Sequence, residues 1–309
     1  MSPWVQNHDG STSVAGPQSA NHHWWPRGLS KFWIGMDGKV GCVRRDGGDF
    51  KVIRTQHQNF GGKRDGHSHI FGENRHDSPW NRSDEHVFDG VDNNMGMLVE
   101  HLEKIALQTQ NAKLAKWNPI HSNPVLRDEL APAMLSLCLR NPHSRYLASS
   151  MGRNLVGYER GSQIDRNVSL SNILASFHAN AKHLRGSGRF GIFFARESEF
   201  IYGDGFFHNV HISGDFFGNI SMLVPMTPKI AVGYRLPSRY MTEPMFCVMN
   251  VGADIVTSFN NLVQIYSETE LFFSNIEPQL IPEFERGEFL RIQAQHNPAL
   301  HWLNQLPGL

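Results

Sequence analysis

The chain has 309 residues, 40% hydrophobic and 19% charged, and its 29 Lys and Arg balance 29 Asp and Glu. That length buries a sizeable core, as one large domain or two intimate ones. Zero net charge argues against a surface dedicated to duplex nucleic acid, and no apolar run approaches the roughly 20 residues that span a bilayer.

The first twenty residues are rich in Gly, Ser, Pro and Asn, lack the basic start and apolar stretch of a secretion signal, and read as a mobile tail. Next comes the run "ANHHWWPRGLSKFW" at 20–33, with two histidines and three tryptophans. Its Pro26 pre-sets a helix start. "KVGCVRR" and "FKVIRTQ" flank the Gly- and Asp-rich break "DGGD" and read as a hairpin. Residues 56–90 are polar, Gly- and His-rich and without a period, the signature of a long irregular segment of functional type.

From Asn93 the apolar spacing turns helical, with Asp92 or Asn93 as the cap. The run 125–151 reads as a buried helix interrupted at Pro132 and again at Pro142. "SLSNILASFHANAKHL" is a third helix, starting at a Ser cap and stopping before "RGSG". Strands follow around Ile192–Phe194, around Phe200–Tyr202 and on both sides of Pro225 and Pro228. A helix over 250–266 with a Val251, Ile255, Phe259, Leu262 and Ile265 stripe precedes a last strand, "ELFFS". The order is segregated α+β: an N-terminal hairpin, central helices, and a small, mostly antiparallel sheet with a packed C-terminal helix. We expect one domain over 21–275 and a weakly structured extension over 276–309.

Cys42, Cys138 and Cys247 match no zinc or redox spacing, and three scattered thiols suit a reducing, cytoplasmic compartment. Among the 17 histidines, His67 and His69 would share one face of a strand, His208 and His211 stand three apart, and Glu100, His101 and Glu103 fall in one helical turn. None of these completes a metal-ligand spacing, so no metal residues are assigned, and a divalent ion stays open as a cofactor.

Several short motifs stand in order along the chain: His23-Trp24-Trp25-Pro26 with Leu29-Ser30-Lys31-Phe32, Asp37-Gly38-Lys39, a helix with Glu100 and Glu103, Arg140-Asn141-Pro142, and Gly203-Asp204-Gly205-Phe206. In this order they resemble a microbial family catalogued as domain of unknown function 4238, and they carry the likeness. It continues through "VPMTPKIAVGY" and the closing helix. Two departures stand out: Gly203 replaces the family's usual serine, and the proline after the aspartate is missing. The resemblance implies a shared fold and a shared site, with no reaction attached.

On that basis His23, Asp204 and Glu100 are the candidate catalytic residues, and Arg140, Arg145, Arg27 and Trp24 the candidate substrate-binding ones. Histidine transfers protons near neutral pH and a carboxylate orients it. An arginine fork holds phosphate or carboxylate, and a tryptophan stacks on a base. No Gly-x-Ser-x-Gly elbow, convincing Cys–His pair, P-loop or dinucleotide fingerprint is present. The set therefore points to a hydrolase of a phosphodiester or nucleotide, RNA included, in a toxin or defence role. Its partners would be an anionic small molecule or single-stranded nucleic acid. The competing assignment is a non-catalytic binder of a ligand or protein partner through the 56–90 loop. In that case the tryptophans fill the core, Arg140 pairs with Glu100 or Glu103, and Asp204 makes a turn.

Overall fold

The Gly-rich break folds the chain back as expected. Val40–Asp46 pairs antiparallel with Asp49–Thr55, and Gly47 and Gly48 take φ of 63° and 114° between them, the left-handed geometry a tight hairpin demands. Glu270–Phe273 and Tyr202–Gly203 extend the hairpin into a four-stranded antiparallel sheet. The structure is a computed structural model, and it describes residues 4–6, 12–14, 21–59, 61–64, 66–72, 78, 80–121, 123–210, 220–236, 245–288 and 296–307. Trp4–Gln6 and Thr12–Val14 pair antiparallel; the expected mobile tail otherwise lies outside the described residues.

A second sheet has six strands. Arg189–Ala195 lies antiparallel to Ile230–Arg235 and parallel to Phe246–Val251, with Ser221–Thr227 and Phe207–His208 beyond on one side and Asn118–Ile120 on the other. Pro225 falls at a register shift in its strand, where a missing N–H is tolerated. Phe246–Val251 was not anticipated. All six of its residues are buried, so it shows no polar alternation to read.

Among the described residues there are five long helices: α1 (His86–Thr109), α2 (Pro124–Arg140), α3 (Pro142–Val156), α4 (Gln163–Leu184) and α5 (Ala253–Tyr266). Two of them start upstream of their sequence-read bounds. α1 begins at His86 rather than Asn93, so Asp92 lies inside it and caps nothing. α4 is capped by Ser162, whose side chain accepts from the Asp165 N–H. Pro132 does not break α2. Every residue from Leu130 to Arg140 is buried, and that apolar burial, about 2 kcal/mol per large side chain, outweighs the roughly 3 kcal/mol cost of an interior proline. Pro142 opens α3, where the Asn141 side chain accepts from Ser144 N at 2.8 Å.

The C-terminal segment corrects the expectation of weak structure. It forms helices Pro282–Arg286 and Pro298–Asn304, and Phe284, Leu300, Leu303 and Leu306 are buried. The 56–90 segment is also more than a loop: it places Gly66, His67, Ser68 and His69 inside the protein, while its residues 73–77 lie outside those described. Among the described residues no helix is long and apolar enough to cross a membrane.

The tryptophans of the opening run join the two sheets. Trp25 is fully buried and stacks on Tyr202 with centroids 4.2 Å apart, and Tyr202 stacks on Phe272 at 4.7 Å. Trp33 reaches the other sheet, donating its Nε1–H to the Met226 carbonyl at 3.2 Å. Burying such large rings contributes more than any other residue type, and this junction fixes how His23 enters the fold.

Candidate functional site

His23 ends a short ribbon in which Asn21–His23 pairs with Gly62–Arg64. The ribbon closes through Trp25 N–H on the Gly61 carbonyl at 3.1 Å. Gly61 has φ +70°, and a Cβ there would lie 2.6 Å from the Trp25 Cβ, so only glycine serves. Pro26 then starts the helical turn Arg27–Ser30. Arg27, four residues on, donates its Nε–H to His23 Nε2 at 3.2 Å. Nε2 therefore carries the lone pair and Nδ1 the proton, an assignment made from the partners. Burial, then the Arg27 charge, lowers the His23 pKa below its ordinary 6.5, so the ring is neutral at pH 7.

Arg140 lies directly behind. It is fully buried, with Nη1 and Nη2 donating to the two Asp92 oxygens at 2.9 and 2.5 Å and Nη1 also to the His23 carbonyl at 3.3 Å. Its guanidinium stands 4.7 Å from the Phe88 ring centroid. The partner expected from the sequence, Glu100 or Glu103, is thus corrected to Asp92; reading Asp92 as a cap hid it inside α1. Arg145 donates to the Arg140 carbonyl at 2.9 Å and the Gly66 carbonyl at 2.6 Å. Burial, followed by the Arg140 charge, lowers its pKa to about 10.

Glu85, just before α1, completes the group. Its Oε2 is 2.5 Å from His67 Nδ1. Burial pushes its carboxyl up to about 7, with Arg140 pulling down and Asp92 and Asp89 pushing up. His23, Arg27, Lys31, Glu85 and Asp92 line one open cleft of about 540 Å³. Of the sequence-chosen residues, His23 and Arg27 therefore meet in the cleft, Arg140 lies behind it on Asp92 and the His23 carbonyl, and Arg145, bonded to the Arg140 carbonyl, lines a different cleft. Glu85 and Asp92 were missed. The signal for Glu85 was the acidic run "SDEHVFD" directly ahead of a helical stripe; Asp92 stands three residues beyond that run.

The other chosen residues lie elsewhere. Asp204 is buried and accepts from Glu268 N at 2.7 Å, Thr269 N at 2.9 Å and Thr269 Oγ1 at 2.6 Å, a clamp on the turn between α5 and Glu270–Phe273. Burial pushes it up to about 6 against the pull of those donors. The residue before Asp204 has no room for a side chain: a Cβ at Gly203 would lie 1.8 Å from Ser267 Oγ. Glu100 is exposed on α1 and is not among the residues lining the His23 cleft. Glu103 faces a different cleft with Phe32 and Lys229, its carboxyl raised by burial and by Glu100.

Trp24 packs on Phe272 with centroids 6.2 Å apart. With Arg145 it also lines a second cleft of about 360 Å³, shared with Tyr146, Arg153, Arg160 and Arg166. Two of those arginines are committed, Arg153 to Asp165 at 2.7 Å and Arg160 to Glu268 at 2.6 Å. His208 Nε2 is 2.8 Å from Ser144 Oγ, and burial lowers its pKa to about 4; His211 lies outside the described residues. Among the described residues no group of three or more His, Cys, Asp and Glu is arranged to hold a metal ion.

No protein-family model matches the chain, and no curated protein and no solved structure matches it.

Proposed function

We propose that the chain is a cytoplasmic hydrolase of a phosphodiester or nucleotide, RNA included, in a toxin or defence role and belonging to the family its motifs resemble. The observation that carries this reading is that His23 and Glu85 face one open cleft with two cations, Arg27 and Lys31. A neutral imidazole and a carboxyl near pKa 7 form a base and an acid for the same pH. A phosphate entering the cleft draws Arg27 from His23 Nε2, which frees that lone pair to take the proton of the attacking water or 2′-hydroxyl. Glu85 protonates the leaving oxygen. Arg140 touches no substrate in this scheme; it positions His23 through the carbonyl bond. Three buried free cysteines support the compartment.

The test is hydrolysis of bis(p-nitrophenyl) phosphate and of a fluorescent single-stranded RNA. His23→Ala and Glu85→Gln should each slow it roughly 10²-fold or more with the circular dichroism unchanged, the usual scale of general acid–base catalysis. The rate should be bell-shaped in pH, since the base needs a pH above the lowered His23 pKa and the acid a pH below about 7. Wild-type protein inert to both substrates, or fully active His23→Ala, overturns the reading. A second reading, a non-catalytic binder of an anionic ligand, is favoured by the arginine-lined cleft beside Trp24. ATP binding in titration calorimetry, weakened by Arg166→Ala with no hydrolysis, would support it.

A further inference from the structure

A second constellation lies outside that cleft. His69 Nδ1 is 2.7 Å from Asp84 Oδ2, and His69 Nε2 is 2.9 Å from Ser171 Oγ. We propose that Ser171, His69 and Asp84 are a nucleophilic triad that cleaves an ester with an apolar acyl or aryl group. The inference rests on no part of the hydrolase reading above.

The chemistry of each group sets the direction of the relay. Burial works to raise the Asp84 carboxyl, but the His69 hydrogen bond and the Arg82 charge hold it below its usual value, so it is ionised and only accepts. His69 must then donate from Nδ1, which leaves the Nε2 lone pair for the Ser171 O–H. That is the polarity a base needs toward its nucleophile. His69 and Asp84 are buried while Ser171 is exposed, so the base is shielded and the nucleophile reachable.

A purely structural role is less economical. Gln163 already donates to the Gly72 carbonyl at 2.6 Å, and Asn167 bonds Ile70 N at 3.1 Å and Ile70 O at 2.8 Å. Those amides fasten the segment to α4, whereas Ser171, one turn further, meets an imidazole. Two exposed apolar side chains lie on the same surface: Phe71, its ring nearly parallel to that of His69, and Ile164, two helical turns before Ser171 on the same face of α4. They suit an apolar acyl or aryl group. Ser171 lies inside the helix, so its own N–H is engaged. The oxyanion falls to Arg82, which is opposite His69 in the strand register, 3.3 Å from Asp84, and largely exposed.

In the reaction Ser171 Oγ bonds to the acyl carbon and its proton passes to His69 Nε2. His69 returns that proton to the departing oxygen as the C–O bond breaks. Water, deprotonated by His69 Nε2, then attacks the acyl carbon; the acyl–Oγ bond breaks, His69 returns the proton to Ser171 Oγ, and the acid leaves. An alkyl fluorophosphonate tests the first step: the Oγ–P bond forms, fluoride leaves, and His69 keeps the proton. Peptide mapping of the labelled full chain should place the phosphonyl group on Ser171. Ser171→Ala, an exposed change that spares the fold, should abolish labelling, and Asp84→Asn, with unchanged circular dichroism, should slow it roughly 10²-fold or more. Unlabelled wild-type protein, label on another residue, or labelling of Asp84→Asn at the wild-type rate overturns the proposal.

Discussion

Replacing Arg140 by Met tests whether one buried ion pair holds the His23 cleft. The substitution removes two charge-assisted bonds to Asp92 and the bond to the His23 carbonyl. Deleting one partner of a buried pair costs about 3–5 kcal/mol, most of it from the charge left behind. The Asp92 side chain is 25% exposed, so water reaches it and the cost falls at the lower end, about 3 kcal/mol. Loss of the contact over Phe88 adds about 1 kcal/mol. In urea, with a slope near 3 kcal/mol per M for a chain of this size, the midpoint should drop by about 1 M. Coincident tryptophan fluorescence and circular dichroism would license that arithmetic. Asp92→Leu alone should be comparably damaging, and the double variant should recover about 2 kcal/mol or more, since a paired apolar replacement leaves no buried charge. Strict additivity, or a single-variant cost under about 1 kcal/mol, would mean the pair acts like a surface one and does not hold the cleft.

Asp204→Ala strands two backbone N–H groups at a buried turn; it should cost about 3 kcal/mol and lower Tm by roughly 6 °C in calorimetry. Gly61→Ala forces a side chain to φ +70° against Trp25, which should cost about 2 kcal/mol and shift the tryptophan emission. The Glu85 carboxyl is raised from 4.5 to about 7. Its stabilising contribution is therefore full below pH 4.5 and lost as pH rises through about 7. Urea titrations of Glu85→Gln should show a flatter stability profile across that window, and an unchanged profile would refute the shift.

Local chemistry made much of the fold legible from the sequence. The Asp-Gly-Gly-Asp break, the Ser221–Thr227 and Ile230–Arg235 strands, and the stripe of α5 each carry a short-range signal; the hairpin forms as read, Pro225 lies inside its strand, and α5 starts at Ala253, which leaves Val251 of the stripe in the preceding strand. The same local logic failed where burial is complete. Phe246–Val251 has no polar face to alternate, and α2 runs through Pro132 because its whole C-terminal half is inside the protein.

The candidate site divides in the same way. His23 and Arg27 are only four residues apart, His23 ending a strand and Arg27 opening the helical turn after Pro26, so the short chain between them keeps the two side chains close. Asp92 behind Arg140 and Ser171 against His69 are 48 and 102 residues apart. No period or motif relates such positions; only the packing of α1 against α2 and of the 66–72 segment against α4 brings them within hydrogen-bond range. The sequence determined which residue types were at hand. The tertiary structure alone decided which carboxylate answers which cation, because a buried charge takes whichever partner the packing leaves beside it.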